Sequence, residues 1–277
     1  MSRTLRCGRS TLKLDRPLVM GIVNVTPDSF SDGGRYADAP AAVAHARRLI
    51  DEGADLVDIG GESTRPGAPA VPLQEERRRV LPVIEALAGC GVPISIDTQK
   101  PELMKEAVGA GASLVNDVNA LRAPGALEAV AATGAAVCLM HMKGDPRTMQ
   151  HDPRYDDVVA EVRAFLAARV EAAERAGIAR ERIVIDPGFG FGKTAEHNLT
   201  LLARLGEIAQ LGVPLLAGLS RKSTLGRITG RGTDERVHAG VAAALIAVQN
   251  GAHIVRVHDV AATRDALAVW NAVREAT

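Results

Sequence analysis

Four side chains far apart in the chain share one setting. Asp97 follows the apolar run Val92-Pro93-Ile94-Ser95-Ile96, Asn116 follows Ser113-Leu114-Val115, and Asp186 follows Ile183-Val184-Ile185. Lys222 comes shortly after Pro214-Leu215-Leu216-Ala217-Gly218. Carboxylate and amide oxygens accept paired N–H groups, and an ammonium donates to a carbonyl. The set suits a heterocycle with donors along one edge and a carbonyl beside them, such as a 2-amino-4-oxo-pyrimidine ring. Arg256, after His253-Ile254-Val255, adds a planar guanidinium able to stack on that ring or clamp a phosphate. Each residue alone has an ordinary reading, because Asp and Asn cap helices and a Lys–Asp pair can be purely structural. Their shared place at the ends of apolar runs favours a common site.

A second group is cationic. Arg65, Arg256 and His258 supply positive charge and Asn24 a hard oxygen, which together suggest an anion site. Such a site has room for Mg²⁺ held mainly by substrate phosphates and water. There is no HExxH, no cysteine cluster and no nucleophile–His–Asp spacing, so covalent catalysis has no support. Gly192-Lys193-Thr194 raises the question of a phosphate-binding P-loop, but the required first glycine falls on Pro187, one residue off, and Pro has no N–H to offer.

Two loops carry these groups. Residues 25–34 are polar and end in Gly33-Gly34, the composition of a mobile lid. Asp186-Pro187-Gly188-Phe189-Gly190-Phe191-Gly192-Lys193 alternates glycines behind an apolar strand. Aromatic residues make up only 3% of the chain, yet Phe30, Phe189 and Phe191 all fall in these loops, as faces offered to a flat ligand would.

The elements that must position these groups are legible as apolar β-branched runs alternating with helical stretches. Helices are expected over residues 41–52, 74–88, 155–176, 235–250 and 263–274, with another starting at Pro101 in the favourable first position. Strand ends carry Asn24, Asp58, Asp97, Asn116, His141, Asp186, Lys222 and Arg256, and so mark eight strand–helix units. Strands alternating with helices imply a parallel sheet, and eight units in this length match a (β/α)8 TIM barrel, where strand C-termini converge on one mouth. A doubly wound open sheet is the alternative. Residues up to about 16 read as a short N-terminal β excursion, and no linker or composition shift divides 1–277 into more than a single domain.

Lys+Arg and Asp+Glu are both 33, so the formal charge is zero and nonspecific nucleic-acid binding is not expected. Three cysteines without metal spacing, no secretory signal and no membrane-length apolar run point to a cytoplasmic protein that engages no membrane.

Long strings then resemble one family. Met20-Gly21-Ile22-Val23-Asn24-Val25-Thr26-Pro27-Asp28-Ser29-Phe30-Ser31-Asp32-Gly33-Gly34 is similar to the first signature of the dihydropteroate synthases, and Asp58-Ile59-Gly60-Gly61-Glu62-Ser63-Thr64-Arg65-Pro66-Gly67 to the second. The Asp186–Lys193 string, Ser220-Arg221-Lys222-Ser223 and Arg256-Val257-His258-Asp259 resemble further family motifs. Gln99 and Asn119 depart from the usual residues beside the pterin pocket. The resemblance implies condensation of 6-hydroxymethyl-7,8-dihydropterin diphosphate with 4-aminobenzoate, giving 7,8-dihydropteroate and diphosphate. It implies that Asp97, Asn116, Asp186 and Lys222 bind the pterin edge, with Met140, Phe191, Gly218 and Arg256 around the ring. Asn24, Arg65, Arg256 and His258 would hold diphosphate, with Asn24 on Mg²⁺. Phe30, Thr64, Pro66, Lys222 and Ser223 would hold aminobenzoate, and Asp97, Lys222, Asp32 and Arg65 would be the catalytic set. A homodimer is implied as well. Two alternatives stand beside this reading: a pterin-binding methyltransferase domain serving a corrinoid, and a pterin-binding paralogue without catalysis.

Overall fold

The apolar runs become strands buried on both faces. In the computed structural model, which describes residues 4–26, 38–63, 67–145 and 148–276, β1 (Thr4–Cys7) and β2 (Ser10–Lys13) form an antiparallel hairpin. The strands β3 (Leu18–Asn24), β4 (Leu56–Gly60), β5 (Ile94–Asp97), β6 (Leu114–Asp117), β7 (Ala136–Met140), β8 (Ile183–Asp186), β9 (Leu216–Ala217) and β10 (Ile254–Val257) make one parallel sheet. Its order is β8-β7-β6-β5-β4-β3-β10-β9, and a parallel bridge between Ile185 and Leu215 joins the two edges. The result is the closed (β/α)8 barrel expected from the alternation.

The helices are α1 (Asp38–Asp51), α2 (Leu73–Leu87), α3 (Pro101–Ala110), α4 (Ala126–Ala131), α5 (Val158–Arg175), α6 (Ala195–Ala203), α7 (Leu205–Ala209), α8 (Ser223–Thr229), α9 (Val237–Gln249) and α10 (Val260–Glu275). The expected helices are present with ends shifted by one to three residues. The short helices α4, α6, α7 and α8 were not expected; each carries too few apolar repeats to show a helical period, and tertiary contacts hold it in place. α6 starts by a local device: Thr194 Oγ1 accepts the His197 N–H at 3.1 Å, while His197 Nδ1 accepts the Thr194 N–H at 3.2 Å.

Alternation along each strand separates two cores. One lies between the barrel and its helices. The other fills the barrel axis with Leu18, Met20, Leu56, Leu114, Ala136, Cys138, Val184, Leu216 and Ile254, and the hairpin adds Leu5 and Cys7 to the same cluster. Stepping two residues along a strand keeps a side chain on the same face. Leu56 therefore leads to Asp58, Leu114 to Asn116, Val184 to Asp186 and Ile254 to Arg256. The pairing register sets Asp97 beside Asn116 and Met140 beside Asp186. An apolar plug thus supports a polar layer at the C-terminal mouth.

Candidate active site

Arg256 is the hub of that layer. Its Nε donates to Asp58 Oδ2 at 2.5 Å and a terminal nitrogen donates to Asp97 Oδ2 at 2.9 Å. Asp58 is fully buried, and the same Oδ2 accepts the Asn116 Nδ2–H at 3.0 Å. The Asn116 amide nitrogen is therefore turned toward Asp58. Burial opposes the Arg256 charge, but the carboxylates of Asp58 and Asp97 outweigh it and hold the guanidinium firmly protonated. Burial, then the neighbouring Asp58 carboxylate, pushes Asp97 up, against the pull of Arg256.

Across the mouth, Asp186 follows β8 directly. Its Oδ1 accepts the Gly188 N–H at 2.7 Å. Burial raises its pKa, while Lys222, the Gly188 amide, Arg256 and Lys193 favour the carboxylate. Lys222 reaches back from the N-cap of α8, donates to the Phe189 carbonyl, and lies 4.8 Å from the centre of the Phe191 ring. Burial pushes its ammonium down to about 8, although Asp186 works the other way. A Cβ added at Gly218 would lie 3.8 Å from Arg256 Cβ and 3.9 Å from Lys222 Nζ, so glycine keeps the space between the two cations open.

Met140 joins Val118, Met142 and Met149 in a buried cluster, with Phe191 packed against it, forming one apolar wall. Two carboxylates (Asp97 and Asp186), one amide and two cations therefore border a space beside an aromatic ring and thioethers, with the buried Asp58 beneath them. Such a set can receive the N–H edge and carbonyl of a flat heterocycle.

His258 follows β10 and lies with Nδ1 3.0 Å from Ser220 Oγ, which also accepts the His258 backbone N–H at 3.2 Å. Asn24 ends β3 beside Gly60, and Ser223 opens α8. Phe30, Asp32, Thr64, Arg65 and Pro66 lie outside the described residues, as does the expected lid over 27–34. Among the described residues no group of three or more His, Cys, Asp or Glu side chains could hold a metal ion.

Known proteins are similar to this chain in sequence and in fold. Residues 20–258 match the pterin binding enzyme family. Dihydropteroate synthase of Escherichia coli (strain K12) is 52% identical over 268 residues, covering 96% of this chain and 95% of its own length. The enzyme of Neisseria meningitidis serogroup B is 54% identical over 275 residues, covering 97% and 96%. The chain belongs to the dihydropteroate synthase family. Among solved members, Xanthomonas albilineans dihydropteroate synthase with 4-aminobenzoic acid superposes with a TM-score of 0.94 at 60% identity, covering 99% of both chains. The Burkholderia cenocepacia dihydropteroate synthase complexed with 7,8-dihydropteroate gives 0.91 at 55% identity, covering 99% of this chain and 98% of that one.

Several family-motif residues take places that spacing alone did not show. Phe189 is 1% exposed and belongs to the barrel–helix core, so it presents no face to a ligand. His141 also stays out of the mouth: it is one residue past the inward-facing Met140 and stacks edge-on against Phe165 of α5 at 4.9 Å. Lys193 is buried against His141 and loop carbonyls, which rules out a phosphate cradle of the P-loop kind. Asp58 was visible as a strand-end carboxylate, but its part in orienting Arg256 and Asn116 needed the register. Nothing in the spacing revealed that Lys100 joins Glu62 at 2.5 Å and the buried Glu76 beneath the second family motif.

Proposed function

We propose that the chain is a dihydropteroate synthase, joining 6-hydroxymethyl-7,8-dihydropterin diphosphate to 4-aminobenzoate with release of diphosphate. The observation that carries this reading is the polar layer itself. Asp97, Asn116, Asp186 and Lys222 border one space at the barrel mouth, with Arg256 locked beside them by Asp58 and Asp97. In the bound state Asp186 accepts two N–H groups of the pterin edge, Asn116 and Asp97 receive further ring N–H groups, and Lys222 donates to the ring carbonyl. Phe191, Met140 and Gly218 line the ring, and Arg256 packs on its face.

The pterin methylene loses diphosphate as its C–O bond breaks. The electron-rich ring takes up the resulting positive charge, with the Asp97 carboxylate near enough to favour it. The weakly basic arylamine nitrogen then forms the new C–N bond and gives up a proton without needing a strong base. Arg65, Arg256 and His258 neutralise the departing diphosphate, and Asp32 belongs to the catalytic set. Phe30, Thr64, Pro66, Lys222 and Ser223 hold the aminobenzoate. Exclusion of water keeps the cation from being trapped.

Asn24 offers a single hard oxygen at the end of β3, a donor set that suits Mg²⁺ carried largely by the diphosphate and water. When bound, the ion supplies neutralisation of diphosphate charge.

The protein acts as a homodimer in the cytoplasm. Support for the dimer comes from Ile228, Ile246, Val269 and Val273, exposed on the neighbouring helices α8, α9 and α10. The three free cysteines suit a reducing compartment.

The deciding experiment mixes the protein, pterin diphosphate, 4-aminobenzoate and Mg²⁺ and follows 7,8-dihydropteroate by chromatography, with released diphosphate measured in parallel. Equimolar formation of both products is expected. Pterin binding without turnover would favour the non-catalytic paralogue, and methyl transfer from a methylated folate to a corrinoid would favour the methyltransferase reading.

A further inference from the structure

Lys193 closes the glycine loop that Asp186 begins, and its burial is unusual. The side chain is 3% exposed, and among the described residues no carboxylate hydrogen-bonds to it. Instead Nζ lies 2.9 Å from the Gly188 carbonyl, 3.0 Å from the Phe191 carbonyl and 2.9 Å from His141 Nδ1. The His141 carbonyl is a fourth acceptor at 3.5 Å. Burial pulls the Lys193 pKa well below the usual lysine range, with Asp186 working the other way, and these acceptors meet every N–H that Nζ carries. His141 is itself 5% exposed, and burial followed by the Lys193 charge pushes its imidazole down to about 2. A neutral ring has a lone pair at Nδ1 to accept from the ammonium.

The loop these bonds close is packed without slack. Gly188 and Gly192 both have positive φ, and a Cβ on either would run into the carbonyl oxygen of His141 or of Lys143. Phe189 anchors the loop in the core and offers its carbonyl to Lys222, while Phe191 turns its ring toward the same ammonium.

We infer that Lys193 is a positioning residue: its buried Nζ, tied to Gly188, Phe191 and His141, holds the loop after β8 in the shape that presents Asp186, Lys222 and Phe191 to the pterin. The inference rests on the pterin reading of the pocket.

The structure also supplies a readout that a merely structural residue would not move. Asp186 is faced by Lys222 and Arg256, by the Gly188 N–H, by Cys138 on β7 and by Lys193. Lys193 favours the Asp186 carboxylate, so removing its charge lets the carboxyl rise further. A pterin that needs the carboxylate then loses affinity at a higher pH than before.

The test titrates a phosphate-free pterin against the unsubstituted protein, Lys193→Met and His141→Phe across the acidic range, with thermal unfolding of each. His141→Phe keeps a ring for Phe165 but removes the acceptor, so the triad is probed from both sides should either variant fold poorly. At neutral pH, pterin affinity should fall roughly tenfold in both variants, the size expected for losing a charged buried hydrogen bond. In Lys193→Met the acidic limb of pterin affinity should move to higher pH. An unmoved limb, or pterin affinity equal to that of the unsubstituted protein, overturns the inference. Failure of the unsubstituted protein to bind pterin would instead overturn the functional reading.

Discussion

Lys222 should act at a cost to stability that can be measured. Burial lowers its ammonium from 10.5 to about 8 without ligand. The folded state therefore releases this proton earlier than the unfolded chain does. The sign is the reverse of the usual lysine case. Below about pH 8 both states are protonated and the full cost of burying the charge is present; between about 8 and 10.5 the unfolded state binds more protons, so stability rises with pH. At 1.36 kcal/mol per unit the whole relief is about 3 kcal/mol, and most of it should be reached by pH 10. Lys222→Met keeps most of the apolar stem and has no charge to relieve. Urea unfolding of both proteins from pH 7 to pH 10 reads the effect, because titrating groups that do not face Lys222 cancel in the difference, while Asp97 and Asp186, which do, contribute to it. The unsubstituted protein should gain on Lys222→Met by about 2 to 3 kcal/mol over that range, a large share of an ordinary domain's stability. Saturating pterin gives the ammonium a carbonyl partner, raises its pKa and shrinks the gain. Parallel stability curves for the two proteins from pH 7 to 10 would refute the reasoning.

Three further outcomes are expected. Asp186→Asn keeps volume but turns an acceptor into a donor facing a donor, so pterin affinity measured by calorimetry should drop on the order of ten- to a hundredfold; an unchanged value would remove Asp186 from the pterin edge. In a double-mutant cycle of Asp58→Asn and Arg256→Met, denaturant unfolding should give a coupling near 2 kcal/mol, because each partner is buried; a coupling under about 0.5 kcal/mol would mean the pair at 2.5 Å is energetically idle. A sulfonamide should bind poorly to the protein alone and better, by on the order of 1–3 kcal/mol, once Mg²⁺, diphosphate and pterin are present, with Arg65→Ala abolishing most of the gain; equal affinity with and without those ligands would mean the aminobenzoate site is preformed.

Local sequence determined much of this protein. The eight apolar runs and the helices between them specified a parallel barrel, because a strand covered on both faces must be apolar throughout. Each strand-end polar residue then had to point toward the mouth or away from it. Asp58, Asp97, Asn116, Asp186 and Arg256 could be singled out because a polar group directly after such a run needs a reason to be there.

Which of those residues meet was a matter for tertiary structure. Strand register brought Arg256 between Asp58 and Asp97, partners 198 and 159 positions away. The odd–even phase of β7 sent Met140 inward and His141 outward, a one-residue difference that no composition reveals. Phe189 and Phe191 look alike in sequence, yet one is swallowed by the core and the other faces Lys222, because the positive-φ Gly190 between them turns the chain. Spacing alone set Lys193 aside as a P-loop lysine, but only the structure showed that its acceptors come from its own loop and from the residue after β7. Short-range pattern sets which face a side chain can take; only the packed barrel sets what it meets there.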